Sequence, residues 1–206
     1  MDYNLGRIRN ELEARGFAEN TVIIYTSDHG SHFRTRNREY KRSCHEASLR
    51  IPLVVWGPGF NAGGRRIEDI VSLIDVPSSV LTAAGLTPPS EMQGRPLQWL
   101  VAGRPAGWRE QAFVQISESQ VGRALRTDRW KYAVRAPNLD GRGPQFTSDV
   151  YEEEFLYDLR TDPHERHNLV AEPAYSEVLH ELRRRLLDEM RKAGEPPARI
   201  VPNGFA

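Results

Sequence analysis

The 206 residues of the chain include 28 Lys or Arg and 28 Asp or Glu, which gives a formal net charge of zero. A neutral chain has no general attraction to nucleic acid or to an anionic membrane, so any basic function must be local. No apolar run approaches the about 18 residues of a membrane-spanning helix, and residues 1–16 lack the apolar core of a signal peptide. We therefore expect no membrane segment, and the compartment stays open.

An amphipathic helix is predicted at the start of the chain. Leu5, Ile8 and Leu12 form an apolar stripe at helical spacing, and Gly16 is a typical residue just beyond a helix end. This pattern predicts a helix over residues 2–15. No strand precedes it, whereas an α/β fold would normally be well under way at this point, so we expect a missing N-terminal portion.

Two continuous apolar runs follow, and both are typical of strands buried on both faces of a sheet. They cover residues 22–25 and 51–56. Farther on, Asp75 and Gly85 bracket an apolar pattern that predicts a helix. The fold class is therefore predicted to be α/β, with part of a mostly parallel sheet flanked by helices, and we assign this part to residues 1–105.

The second half of the chain has a different pattern. Short segments with partial alternation predict a small antiparallel sheet, with strands at residues 112–117, 122–127, 130–135 and 155–159. Gly, Pro, Asn and Asp are frequent in residues 136–150, which we expect to form a surface loop. An apolar stripe then predicts a C-terminal helix over residues 174–192. We assign this sheet and helix to a second domain, residues 106–206.

The segment between the two apolar runs concentrates the candidate site residues. Asp28 and His29 stand beside Gly30 just after a predicted strand, at the edge where open α/β sheets bind ligands. Six cations follow before the next run: Arg34, Arg36, Arg38, Lys41, Arg42 and Arg50. A metal cation at Asp28 and His29 with basic side chains nearby would form a pocket for sulfate or phosphate. The alternative is a turn followed by a solvated basic loop.

Cys44 is the single cysteine, which excludes an internal disulfide. A basic loop can lower the pKa of a thiol, and His45 is its neighbour, so a nucleophilic pair is one interpretation. Adjacent residues on an extended segment point to opposite faces, however. We therefore do not predict a catalytic Cys44–His45 pair.

Five fragments of the sequence occur in an order that one protein family shares. They are DYNLGRIRNELEARGFAENTVIIYTSDHG; the spacing of Lys41, Glu46 and Arg50-Ile51-Pro52; SLIDVPSSVLTAAGL with QGRPL; ALRTDRWKY; and LYDLRTDPHERHNL. In this order they resemble the sulfatase family, a branch of the alkaline phosphatase superfamily, along nearly the whole chain. The first fragment is similar to the helix and strand that lead into the family's Ser-Asp-His/Asn-Gly metal motif.

The resemblance implies roles for residues of this segment. Asp28 and His29 would be ligands of a divalent cation, usually Ca²⁺, with another cation such as Mg²⁺ as an alternative. Lys41 would contact the sulfate group of the substrate. Further candidates for substrate contact lie in the same segment: His32, Arg36 and His45. Calcium prefers oxygen ligands and takes about six to eight of them, so two ligands predict poor affinity.

The chain departs from the family pattern at its nucleophile. Sulfatases carry an Asp-Asp pair near their N-terminus and a Cys or Ser in Cys/Ser-x-Pro-x-Arg, which is converted to formylglycine. Neither motif occurs here, and Cys44 is followed by neither the Pro nor the Arg. No catalytic residue is therefore assigned, the chain resembles the C-terminal part of a sulfatase, and we expect the isolated chain to be inactive.

The leading hypothesis is an arylsulfatase-like sulfuric ester hydrolase that acts on a sulfate ester of unknown identity, with a missing N-terminal half that supplies the nucleophile. One alternative is a phosphoester or phosphonate hydrolase of the same superfamily. Another is a non-catalytic module that binds a polyanion or sulfated glycan through its basic loop. Nucleic acid is not an expected partner, because the basic residues lack interleaved aromatic platforms. Full-length relatives are often exported, but this chain carries no signal for it.

Overall fold

A computed structural model describes residues 2–60 and 63–202, and these residues form two compact units. The first unit contains the chain up to Asp28 and the stretch Pro52–Arg109. The second contains His29–Ile51 and the chain from Glu110 onward. The segment of candidate site residues is therefore divided between the units directly after Asp28. The predicted domains, 1–105 and 106–206, stay predictions.

The elements are named here in chain order. The described helices are α1 (Asp2–Ala14), α2 (Glu46–Leu49), α3 (Asp75–Ala83), α4 (Gln98–Ala102) and α5 (Ser176–Lys192). The described strands are β1 (Ile23–Thr26), β2 (Leu53–Trp56), β3 (Gln111–Ile116), β4 (Gly122–Thr127), β5 (Trp130–Arg135), β6 (Val150–Asp158) and β7 (Arg199–Val201). Short 3-10 helices cover Ala18–Asn20 and Pro173–Tyr175.

The first unit contains α1, α3, α4 and the strand pair β1–β2. The α/β class is confirmed, but β1 and β2 pair antiparallel, with Ile23 opposite Trp56 and Thr26 opposite Leu53. This differs from the parallel pairing expected of a mostly parallel sheet. A continuous apolar run does not determine strand direction, and mostly parallel sheets commonly carry an antiparallel strand at an edge.

Apolar side chains of the first unit are widely exposed. No residue of α1 is buried, although Ile8 belongs to its predicted apolar stripe and is 51% exposed. Val54 of β2 is 57% exposed and Trp99 of α4 is 50% exposed. The prediction of strands buried on both faces is therefore wrong for these two strands within the described residues. A surface of this kind favours association with another protein surface.

The second unit is built on a five-stranded sheet. Its order is β3-β4-β5-β6-β7, with antiparallel neighbours except for the parallel pair β6–β7. The predicted antiparallel strands are confirmed, and a two-residue turn joins β4 to β5. Strand β6 begins at Val150, before the predicted start at residue 155. The prediction missed this part because the charged run Glu152, Glu153 and Glu154 obscures the alternating pattern. Strand β7 was not predicted.

Both faces of this sheet are covered. Helix α5 packs on one face, with Leu179, Leu182, Leu186 and Met190 buried against strand residues that include Leu125. The predicted C-terminal helix is thus confirmed. On the other face, Cys44 lies in an apolar cluster with Ala124, Ala133, Phe155 and Tyr157. None of the helices in the described ranges is long and apolar enough to cross a membrane.

Candidate functional site

His29 and Lys41 meet in the segment His29–Ile51, which we call the basic segment. The Nδ1 atom of His29 lies 2.7 Å from the carbonyl oxygen of Gly30. Because a carbonyl only accepts, Nδ1 carries the proton, and because the Lys41 ammonium only donates, Nε2 accepts through its lone pair. The Nζ atom of Lys41 lies 3.1 Å from that Nε2. A histidine whose Nδ1–H is held by a carbonyl has the arrangement typical of metal-ligating histidines.

Gly30 allows the turn after His29 to approach helix α2 closely. Its N–H donates to the carbonyl of Ser48 over 2.8 Å. A Cβ at Gly30 would lie 2.1 Å from the carbonyl oxygen of Ala47, closer than any side chain tolerates. Glycine is therefore required here by the close approach of two backbones, and this contact fixes the start of the basic segment.

Asp28 ends the first stretch of the first unit and is exposed two residues after β1 ends. The hydroxyl of Ser27 donates to its Oδ1 atom over 3.3 Å. Asp28 and His29 match a divalent cation in the kind of donor they offer. They do not match it in number, since calcium takes about six to eight ligands. Among the described residues, no group of three or more His, Cys, Asp or Glu could hold a metal ion.

Arg36 is engaged with the loop that follows β6. Its Nη1 atom donates to the carbonyl of Glu165 over 2.7 Å, and its Nη2 atom donates to the carbonyl of His164 over 2.6 Å. Arg42 is also engaged, with Glu39 at 2.8 Å and Glu118 at 2.6 Å. Two of the six cations of the basic segment therefore hold the protein together, and the substrate contact of Arg36 stays a prediction.

His32 is almost completely buried, with 1% of its surface exposed. Its backbone N–H donates to the carbonyl of Tyr40, and its backbone carbonyl accepts from Thr35. Neither ring nitrogen has a hydrogen-bond partner within the described part of the chain. Burial is the main cause that lowers the pKa of His32, so the ring is neutral. In this conformation the ring presents no surface to a substrate, and its predicted contact stays a prediction.

His45 precedes helix α2 and is part of a polar and aromatic cluster. Its Nδ1 atom contacts the hydroxyl of Ser43, and its Nε2 atom lies 3.4 Å from the hydroxyl of Tyr157. The ring packs on Phe155 with centroids 4.4 Å apart. Burial, with smaller contributions from nearby cations, lowers the pKa of His45 to about 3. His45 is therefore a neutral ring packed on the sheet, and its substrate contact stays a prediction.

Cys44 is a buried thiol. It is 2% exposed, and burial raises its pKa to about 12. A thiolate, not a thiol, is the nucleophile in cysteine chemistry. The structure thus gives a physical reason for not pairing Cys44 with His45: the thiol stays protonated, while His45 is engaged with Ser43 and Tyr157.

A buried ion-pair cluster joins the basic segment to the sheet, and sequence reasoning did not identify it as a cluster. The Lys131 side chain is fully buried and pairs with Glu46 and with Glu165. The Oε2 atom of Glu165 accepts the N–H of Glu46 over 2.9 Å. Arg126 approaches Glu46 from β4 at 3.3 Å. The signal in the sequence was indirect: the four members of the cluster lie in fragments that resemble sulfatases.

Comparison with known proteins matches this chain to the C-terminal part of sulfatases. Residues 38–192 match the family model described as N-sulphoglucosamine sulphohydrolase, C-terminal. The chain therefore belongs to the sulfatase family.

Relatives and solved structures agree with this assignment. Mouse arylsulfatase K is 33% identical over 197 residues, which are 90% of this chain and 33% of that protein. N-acetylglucosamine-6-O-sulfatase of Bacteroides thetaiotaomicron is 31% identical over 195 residues, 93% of this chain and 34% of that protein. A solved structure in complex with its substrate D-glucosamine-2-N,6-O-disulfate matches with a TM-score of 0.73 and 26% identity, over 94% of this chain and 38% of that one. The chain thus spans about a third of the length of these curated relatives.

Proposed function

We propose that this chain is the C-terminal part of a sulfatase that hydrolyses sulfate esters, and that His29 and Lys41 belong to its site. The observation that carries the proposal is the 3.1 Å approach of the Lys41 ammonium to the lone pair of His29 Nε2. It brings a nitrogen donor and a positive charge together at one point of the basic segment. Asp28, the neighbour of His29, would add a carboxylate oxygen.

Lys41 is suited to hold a sulfate group. An ammonium has three N–H donors, and one of them faces His29, so two remain for sulfate oxygens. The ring of Tyr40 lies 5.6 Å from Lys41 Nζ and makes a cation–π contact with the ammonium group. A fixed positive charge stabilises the negative charge that develops when an ester bond to sulfate breaks.

Asp28 and His29 would provide part of the coordination of a divalent cation, Ca²⁺ or another such as Mg²⁺. Bound there, the cation would offset negative charge on the sulfate oxygens. The tautomer of His29 supports this role, because its Nδ1–H is held by Gly30 and its Nε2 carries a lone pair, which Lys41 must release when the cation binds. Further ligands must come from outside this pair, since the two residues supply too few donors for calcium.

Sulfated glucosamine is the substrate class to test first. One relative is by name an N-acetylglucosamine-6-O-sulfatase, and one similar structure contains D-glucosamine-2-N,6-O-disulfate as its substrate. We propose that the present chain serves a substrate of the same chemistry. The isolated chain should not turn it over, because Cys44 is a buried thiol with a raised pKa and the formylglycine motif of the family is absent from the sequence.

The two alternative functions make different demands. A polyanion-binding module needs uncommitted cations, whereas Arg36 and Arg42 are engaged in contacts within the protein. Binding to a sulfated polysaccharide that is salt-sensitive and calcium-independent would favour that module. A phosphoester or phosphonate hydrolase would differ in the nucleophile motif, which the genomic DNA upstream of the Met1 codon would reveal in the same reading frame.

A chimera tests the proposal. The chain is joined to the part of the Bacteroides N-acetylglucosamine-6-O-sulfatase that precedes the matching third, and sulfate release from N-acetylglucosamine-6-sulfate is measured. We expect the chimera to hydrolyse the ester and the isolated chain to release none. A chimera that is folded by circular dichroism and carries formylglycine, yet releases no sulfate, would contradict the proposal.

A further inference from the structure

The loop between β5 and β6 is long for a compact unit. It covers residues 136–149 and contains no helix or strand. Loops beyond about 12 to 15 residues without secondary structure are uncommon, and most either bind ligands or are disordered. The contacts that the loop makes with the rest of the second unit distinguish these two cases.

Contacts at several points fix the loop. Arg123 is 1% exposed, pairs with Glu195 at 2.6 Å and donates to the carbonyl of Phe146 over 2.6 Å. The N–H of Ser148 donates to the Tyr151 hydroxyl over 3.1 Å. Gly141 has a φ of 68°, and a Cβ there would lie 2.6 Å from the backbone nitrogen of Ser119. A buried arginine that holds a loop carbonyl is expected of a preorganised binding loop.

The loop lines a cavity of about 380 Å³, which is in the range of small-molecule sites. Apolar side chains on its wall include Leu139 and Pro196. Its polar lining consists of Asn138, Gln145, Thr147, Ser148 and Asp149. Within the described part of the chain, the side chains of Asn138, Gln145, Thr147 and Asp149 make no hydrogen bond or ion pair, so their polar atoms are available to a ligand.

The lining determines the class of ligand. Among the described residues that line the cavity there is no Lys or Arg, and sulfate or phosphate groups are normally held by such cations. Asp149 would in addition repel an anion. Amide, hydroxyl and carboxylate groups together donate to and accept from hydroxyl groups, while Leu139 and Pro196 offer apolar contacts to C–H groups. We propose that this cavity binds an uncharged sugar ring.

The loop is connected to the basic segment through the turn at residues 118–120. The hydroxyl of Ser119 donates to Glu39 over 3.1 Å, and the side-chain amide of Gln120 donates to the carbonyl of Arg42 over 3.3 Å. Lys41 lies between Glu39 and Arg42 in the chain. The bound sugar would be the unsulfated part of the substrate. This identification rests on the proposed function, whereas the sugar binding itself does not.

The test is the binding of unsulfated N-acetylglucosamine to the full chain, measured by saturation-transfer difference NMR. The double variant Asn138→Ala/Gln145→Ala removes two exposed polar side chains and should bind about tenfold more weakly, as expected for the loss of two hydrogen bonds. Arg142→Ala is the matched control, because Arg142 lies in the same loop, is 87% exposed and does not line the cavity, and it should bind the neutral sugar as the wild type does. Circular dichroism confirms that both variants are folded.

Three results would overturn the proposal: no binding to the wild type, equal binding to the double variant, or loss of binding in Arg142→Ala. The last result would place the sugar at the outer side of the loop and not in the cavity. Failure of the proposed sulfatase function is distinguishable, because a chimera without sulfate release could still bind the neutral sugar through the loop.

Discussion

The ammonium nitrogen of Lys131 lies 3.0 Å from a carboxylate oxygen of Glu165, and the lysine side chain is fully shielded from solvent. Lys131 also pairs with Glu46, which begins helix α2. Lys131 belongs to β5, whereas Glu46 belongs to the basic segment, so this cluster anchors the segment to the sheet. The carbonyl of Glu165 accepts from Arg36 as well. The position of the segment that carries His29 and Lys41 therefore depends on Glu165 and Lys131.

Replacing Lys131 by Met should strongly destabilise the second unit. The substitution leaves the Glu165 carboxylate buried without its cation and leaves Glu46 with Arg126 alone, and removing one partner of a buried pair costs about 3–5 kcal/mol. Urea unfolding followed by circular dichroism measures the change. Lys192→Met is the control, because the Lys192 side chain in its pair with Glu189 is 67% exposed and pairs at the surface contribute little. Equal losses in both variants would contradict the role of the buried cluster.

His45 should make the protein less stable in mild acid. Burial lowers its pKa to about 3 in the folded protein, whereas an unfolded histidine titrates near about 6.5. Above the unfolded pKa both states are neutral and the full stability is present. As the pH falls below it, only the unfolded state takes up the proton, and this group costs about 1.4 kcal/mol per pH unit.

The variant His45→Gln tests this dependence. Between about pH 6 and pH 5, its free energy of unfolding should fall less steeply with decreasing pH than that of the wild type. The difference in slope should be close to the about 1.4 kcal/mol per pH unit that the uptake of one proton gives. His180→Gln removes an exposed histidine on α5 and should keep the wild-type slope. The burial of a neutral His45 would be refuted by parallel curves for His45→Gln and the wild type.

Cys44 should be unreactive in the folded protein. Burial raises its pKa to about 12 and shields the sulfur from reagents, so labelling with a thiol-specific reagent at pH 8 should require urea. The variant Cys44→Ala/Ser90→Cys places a thiol at an exposed position and should label rapidly without urea. Rapid labelling of native Cys44 would revive the nucleophile hypothesis.

The isolated chain should self-associate through its first unit. Ile8, Val54 and Trp99 are about half exposed or more, and an exposed apolar strand pair is a typical site of association. In sedimentation velocity, Val54→Lys should raise the monomer fraction, whereas Thr87→Lys adds the same charge at an exposed loop position and should change it less. A wild-type chain that stays monomeric and melts cooperatively at high temperature would contradict this expectation.

Local patterns predicted the elements well where one face is buried. The stripe at Leu182, Leu186 and Met190 gave helix α5, because apolar residues at helical spacing face the sheet. The pattern failed in β6, where buried Glu153 binds the Tyr132 hydroxyl and Arg183. A charged residue in a core depends on partners that are distant in the chain, and no local pattern reveals them.

The candidate site shows the same limit. Asp28, His29 and Lys41 could be proposed from a motif and its spacing, because these features are local in the sequence. The hydrogen bonds of Arg36 to the carbonyls of His164 and Glu165 could not be predicted. Nothing in the local sequence distinguishes this arginine from one that is exposed to solvent. The cavity of the loop at residues 136–149 was likewise unpredictable, because only the fold gathers its lining.

The most direct test of the central claim is the effect of Lys41→Ala on sulfate ester hydrolysis by the chimera. If Lys41 stabilises the sulfate group, kcat/KM should fall by about 10²- to 10³-fold, the loss typical of one charge-stabilising donor. Arg38→Ala removes an exposed cation of the same segment and should change kcat/KM by less than about threefold, as expected of a surface charge that salt screens. Equal kcat/KM values for Lys41→Ala and the unmutated chimera would contradict the assignment of Lys41 to the sulfate site.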